Sequence, residues 1–399
     1  MTGTGLMQWL NQGRRYPVPG CAGRQVLMSR PLTAALRAAA AAGAALLIAA
    51  CAGTAQSAGD GAVALSATPA AISETGSSLL APQAQTWATA YQRANPGVTV
   101  SIKSTSSGTG ISAASAGTAD IGASDAYLSS GDLVNSPTLL NIALTVSAQT
   151  VIYNIPGLSQ GGHVSLDGEV LAEIYQGQIT MWNDSRITSL GQNKNLNLPP
   201  VKIVPLHRSG SSGDTFLFTS YLSTQDPAWD SDIGYGTTAV WPSVGGPSVA
   251  AGEASSNAMA QDCANTPGCV GYNGISYLTK ALAGNLGYAS LKNSAGAYTL
   301  PTSGTAIRAA VASFVPITPP NETISMIDGP AAGGYPIVNY EYAVVKSVQP
   351  DAAKASALRA FLRWVITTGN GTSYLKALGF QPLSGTLVTL GEQQIAEIR

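Results

Sequence analysis

Three segments of this chain share one arrangement: a strand signal, a turn of Ser, Thr and Gly, then a helix start. They are Glu74-Thr75-Gly76-Ser77-Ser78-Leu79, Ser106-Ser107-Gly108-Thr109-Gly110-Ile111 and Arg208-Ser209-Gly210-Ser211-Ser212-Gly213-Asp214-Thr215-Phe216. A helix N-terminus leaves about four backbone N–H groups without partners, and these donors act with the helix dipole to favour an anion. Small residues let a ligand approach the backbone, and Ser hydroxyls add short, rotatable donors. Any one such turn reads most simply as an N-cap. Three of them, one carrying Arg208, suggest an oxyanion site.

The elements that must position these turns alternate between two periods. Leu80, Ala84, Trp87 and Tyr91 recur at helical spacing up to the breaker Asn95-Pro96-Gly97. Val98, Val100 and Ile102 then alternate with polar residues, as a strand does. Ile121-Gly122-Ala123 and Val201–Leu206 read as further strands, and Asp214–Leu222 as a helix. Pro350-Asp351 opens a long amphipathic helix through Leu358, Phe361, Leu362 and Val365. Strands alternating with helices predict an α/β fold. Trp87, Tyr91, Phe361 and Trp364 read as core, and His207 as packing at a strand end.

The 399 residues suit one large or two ordinary domains. Charged residues make up only 10% and the net charge is −1, which gives no electrostatic footprint for nucleic acid and no polybasic membrane patch. Arg30 and Arg37 flank the start of an uncharged Ala/Leu-rich run, Ala38–Ala50. Its length fits a signal-peptide core of roughly 7–15 residues and falls short of a membrane span of about 20. The run ends Ile48-Ala49-Ala50-Cys51, which resembles the lipobox of bacterial lipoproteins and implies cleavage before Cys51 and lipidation of that residue; an ordinary secretory signal with an incidental Cys is the alternative. Residues 1–50 are therefore read as an N-terminal extension plus signal peptide, with Met28 a candidate start, and 51–65 as a flexible Gly/Ala/Ser/Thr tether. The body keeps Cys263 and Cys269, which flank the turn-forming Ala264-Asn265-Thr266-Pro267-Gly268. In an oxidising compartment a disulfide is expected, with two free thiols the alternative. No metal is expected, because the two histidines, His163 and His207, are not spaced for joint coordination. The Gly245-Gly246 and Gly333-Gly334 strings lack the placement of a dinucleotide fingerprint and read as loops.

Taken in order, these segments resemble the periplasmic phosphate-binding proteins of ABC importers, the PstS family. Glu74–Leu80 is similar to its first phosphate loop, Ser107–Ile111 to its second and Asp120–Ala126 to its aspartate loop. His207–Ser223 is similar to its arginine loop, and Pro267–Tyr272 and Tyr335–Tyr342 match as well. The likeness covers nearly everything from residue 66 onward, and the paired Cys and the Ser-Gly-Asp-Thr-Phe wording look most like the actinobacterial lipoprotein branch. It implies a two-lobed type II Venus-flytrap fold, with residues 66–149 and 336–399 in lobe I and 150–335 in lobe II. It further implies a phosphate site built from Ser78, Leu79, Ser107, Asp125, Arg208, Ser212, Gly213 and Asp214. Arg208 falls on the bidentate cation and Asp125 on the carboxylate that accepts a proton from the ligand. One departure stands out: many members carry Asp-Gly after the Arg-Ser pair, the Asp orienting the arginine, whereas here those positions are Gly210-Ser211. Asp214 is the candidate substitute.

The implied protein binds inorganic phosphate, hands it to the permease subunits of an ABC importer, and touches the membrane through a lipid anchor only. It is expected to be an extracytoplasmic monomer with no cofactor, no catalytic residues and no nucleic-acid partner. The rival readings are a secreted hydrolase and a surface adhesin on the same fold. Against the hydrolase, no Gly-x-Ser-x-Gly elbow surrounds Ser211 or Ser212, and His163 lies in a Gly-rich stretch with no sign of a triad.

Overall fold

The computed structural model describes residues 70–158, 160–242 and 252–399. The segments read as signal peptide and tether, with Cys51, and Gly245-Gly246 lie outside the described residues.

Among the described residues eleven strands follow in chain order: β1 (Ala70–Gly76), β2 (Val98–Ser104), β3 (Ile121–Ser124), β4 (Leu139–Tyr153), β5 (Ser165–Leu166), β6 (Val204–Pro205), β7 (Cys269–Gly274), β8 (Gly287–Tyr288), β9 (Ser290–Lys292), β10 (Tyr298–Thr299) and β11 (Val338–Lys346). The larger sheet runs β2-β1-β3-β11-β4-β7-β6, with β8 also paired to β4, and β10-β9-β5 form a second sheet. β1 pairs in parallel with both β2 and β3, whereas β11 runs antiparallel to β3 and to β4. β4 is shared between β11 and β7, both antiparallel to it. Its residues from Leu139 to Ala148 pair with β11, and those from Gln149 to Tyr153 pair with β7.

The register explains why chemistry collects at one edge. Gly76 stands beside Ser104 on one side and Ala123 on the other, so the carboxyl ends of β1, β2 and β3 lie level. The chain leaves those ends into Ser77-Ser78, Ser106-Ser107 and Asp125, the position at which open α/β sheets bind ligands. Gly76 adopts a φ of +145°, and a Cβ there would drive into the Ala123 carbonyl. The parallel ends can approach this closely only with glycine.

The helix at Ala81–Ala94 buries Trp87 and Tyr91; Trp87 Nε1 donates to the Gly369 carbonyl (2.8 Å), and Tyr91 sets its edge on Phe361 and Trp364. Asp351 caps the amphipathic helix Ala352–Ile366. The strand expected over residues 201–206 shrinks to β6, with a lone bridge from Lys202 to Met181. Pro205 has no N–H to donate, so a longer ladder cannot form on both sides there. Cys263 and Cys269 are joined as a disulfide with Cα atoms 5.4 Å apart, buried among Ile152, Leu206 and Met259. The His207 ring stacks on Trp241 with centroids 4.9 Å apart, as packing at a strand end requires.

Candidate functional site

Arg208 follows β6, and its short bridge to Glu253 fixes the backbone. The side chain is almost wholly buried. Nε donates to the Glu253 carbonyl (3.1 Å), Nη2 to the Ala254 carbonyl (3.1 Å), and Nη1 to Asp214 Oδ2 (2.7 Å) and Ser78 Oγ (3.3 Å). Its own N–H donates to the Tyr272 hydroxyl, which also contacts Thr215 Oγ1. Four of the five guanidinium hydrogens are thus committed to acceptors that hold the plane.

Asp214 takes over the orienting role. Its Oδ2 accepts from Arg208 and from Ser256 Oγ (2.7 Å), and Oδ1 and the carbonyl accept from Gln149 Nε2. Gly210, at the position where the family often carries its aspartate, faces open space. The arginine is therefore braced from the following helix instead of from its own loop. With its carboxylate so engaged, Asp214 can offer an anion only its N–H.

Asp125 faces this cation from the end of β3. Ser77 Oγ donates to Oδ1, and Ser107 Oγ donates to Oδ2 (3.2 Å) while accepting from the Asp125 N–H. Burial pushes its carboxyl up to about 6, the nearby Asp214 adds to the rise, and hydrogen bonds from Glu341 and Ser77 and the Arg208 charge oppose it. At neutral pH it is mainly an acceptor without a proton.

The turns supply donors around these charges. The amides of Leu79, Gly213 and Asp214 have no protein acceptor among the described residues. Ser212 starts the helix Gly213–Gln225 but spends no hydroxyl bond on capping it. Ser78 Oγ accepts from Arg208 and from the Ser256 N–H (3.1 Å), joining the turn after β1 to the far side. The two sides also meet at Gly213. A Cβ there would stand within 2.5 Å of Asp125 Cβ and Ser107 Oγ. Gly213→Ala should therefore pry the sides apart and weaken anion binding about 10- to 100-fold, as overpacking of roughly 1–3 kcal/mol would; unchanged affinity in a titration would mean that this approach is not needed.

Of the eight residues singled out in the sequence, Ser78, Ser107, Asp125, Arg208, Gly213 and Asp214 are brought together by direct contacts, with Leu79 and Ser212 next to them in the chain. Sequence reasoning missed Ser256, which opens the helix Ser256–Asn265 beside Ser255, and the Ser255-Ser256 pair was its available signal. It also missed Gln149 and Tyr272, which lie within strands and carry no turn signature.

A family model described as a PBP superfamily domain matches residues 53–368. The phosphate-binding protein PstS of Methanocaldococcus jannaschii is 33% identical over 350 residues, covering 82% of this chain and 86% of that protein. The chain belongs to the PstS family. PstS3 of Mycobacterium bovis is 32% identical over 304 residues, covering 73% of this chain and 77% of that one. A solved phosphate-binding protein from Stenotrophomonas maltophilia aligns with a TM-score of 0.61 at 22% identity, over 81% of this chain and 93% of its own. The two-lobed α/β fold of PstS proteins is therefore the fold of this chain.

Proposed function

We propose that this protein captures inorganic phosphate between Asp125 and the Arg208–Asp214 pair and delivers it to an ABC importer, without chemical change. The observation that carries this reading is a buried carboxylate and a braced guanidinium gathered with helix-start amides, those of Leu79, Gly213 and Asp214, that have no protein acceptor among the described residues. An anion site alone needs no carboxylate. A ligand that is an anion and still carries a proton needs one. Phosphate keeps one or two protons near neutral pH, its second pKa lying at about 6–7, whereas sulfate has none to give. A buried acceptor facing a bare oxygen is left unpaired, at a cost on the order of several kcal/mol.

The lobes of this reading are residues 66–149 with 336–399, and 150–335. The change of partner along β4 at Gln149 supports the first crossing. Ser78, Leu79, Ser107 and Asp125 come from one lobe, and Arg208, Ser212, Gly213 and Asp214 from the other. Phosphate gains its full set of contacts only when both lobes meet it, so binding favours closure. The closed form is what the permease subunits would recognise. Cys51 would carry the lipid that tethers the body to the outer face of the cell membrane; among the described residues no helix is long and apolar enough to cross a membrane. The test is stoichiometric phosphate binding by the purified protein with no release of product from a chromogenic phosphate ester. Turnover of the ester would overturn the transport reading in favour of an enzyme.

A further inference from the structure

A second carboxyl lies behind Asp125 that the site as described does not use. Glu341 sits in the middle of β11, which β3 and β4 flank on either side, and it is fully buried. Asn339 Nδ2 donates to Glu341 Oε1 (2.9 Å) and to the Asp125 carbonyl (3.2 Å), so one amide fixes both the carboxyl and the loop that carries Asp125. Among the described residues Glu341 Oε2 has no hydrogen-bond partner. The antiparallel register that sets Tyr342 against Ser124 brings Glu341, one residue earlier, against Asp125, one residue later. Two buried carboxyl groups set side by side can bond to each other only through a shared proton.

The surroundings decide which group holds it. Burial pushes Glu341 well above the usual carboxylate range and the adjacent Asp125 pushes it further, while Asn339 and Ser147 oppose this less strongly. Burial, and then Asp214, raise Asp125 as well, but Ser77, Ser107 and Arg208 favour its charged form and hold it at about 6. Tyr342, the other titratable group coupled to Glu341, is itself held neutral by burial. The proton therefore rests on Glu341.

We propose that Glu341 is a positioning residue for the ligand, its carboxylic acid donating to Asp125 from behind and reserving that carboxylate as the acceptor for a protonated ligand oxygen. This rests on the phosphate reading above. Without the donor, Asp125 takes up a proton more readily. It then donates instead of accepting, and sulfate is no longer refused.

The test is the ratio of phosphate to sulfate affinity, titrated from pH 5 to pH 8.5 for the wild-type protein, Glu341→Leu and Glu341→Gln. The wild-type ratio should fall as pH drops through about 6. In Glu341→Leu that midpoint should rise by on the order of one pH unit, leaving about half of Asp125 protonated at pH 7. Glu341→Gln keeps an N–H donor and should return the midpoint close to its wild-type value. A midpoint unmoved in Glu341→Leu, or moved equally in both variants, overturns the proposal while leaving phosphate capture standing. Wild-type protein that binds no phosphate overturns both. Should Glu341→Leu not fold, infrared difference spectroscopy at pH 7.5 decides between wild type and Glu341→Gln. Loss of a protonated-carboxyl C=O band in Glu341→Gln supports the assignment, and no such loss refutes it.

Discussion

Arg208→Ala should abolish measurable phosphate capture and lower the melting temperature by roughly 5–10 °C. The second effect follows from the pairing at 2.7 Å with Asp214, whose carboxylate is fully buried. Removing one partner of a buried pair leaves the other charge uncompensated, at about 3–5 kcal/mol, and that stability loss sets the melting shift. The two effects can be separated. In Arg208→Ala/Asp214→Asn the orphaned charge is gone, and the amide oxygen can still accept from Ser256 Oγ. Most of the melting temperature should return, and phosphate binding should not. Recovery of binding in the double variant would show that the guanidinium braces the fold without attracting the ligand.

Asp125→Ala should do the reverse to specificity. Phosphate affinity should fall by about 10²-fold, and sulfate, refused by the wild type, should bind comparably well. The wild-type protein should show a milder form of this on acidification. Its carboxyl lies at about 6 because burial and Asp214 raise it. Above that pH the charged form accepts a hydrogen bond from a protonated phosphate oxygen and repels sulfate; below it the neutral acid donates to either anion. Selectivity is therefore retained as pH rises and lost as it falls. Competition titrations with both anions at pH 5 and pH 8 check the sign. Unaltered affinity of Asp125→Ala for both anions would be fatal to the assigned role.

The two roles were legible to different degrees. Turns such as Ser77-Ser78 and Ser212-Gly213 announce themselves, because Ser and Gly between a strand and a helix have a local backbone reason to be there. The loops alone point only to an oxyanion, and the step to phosphate needs Asp125 placed opposite Arg208. What braces Arg208 could not be read from Gly210-Ser211. The side chain of Asp214 could be directed only once the helix Gly213–Gln225 was set against β4 and the helix Ser256–Asn265. β4 and β11 alternate apolar and polar residues over Leu144–Gln149 and Val338–Tyr342, the pattern of a half-exposed strand. Yet nearly every residue of both is buried, so their polar residues lie inside the body where the pattern would place them in water. Glu341 is hidden for the same reason. A glutamate in a buried strand carries no local signal, and its meaning comes wholly from the neighbour it meets across the sheet.

The most direct test of phosphate capture is calorimetric titration of the purified protein with phosphate and, separately, with sulfate at pH 7.5. The arrangement of Asp125 and Arg208 predicts one phosphate per chain, bound on the order of 10⁴-fold more tightly than sulfate. Equal affinity for the two anions, or no heat with phosphate, would contradict it.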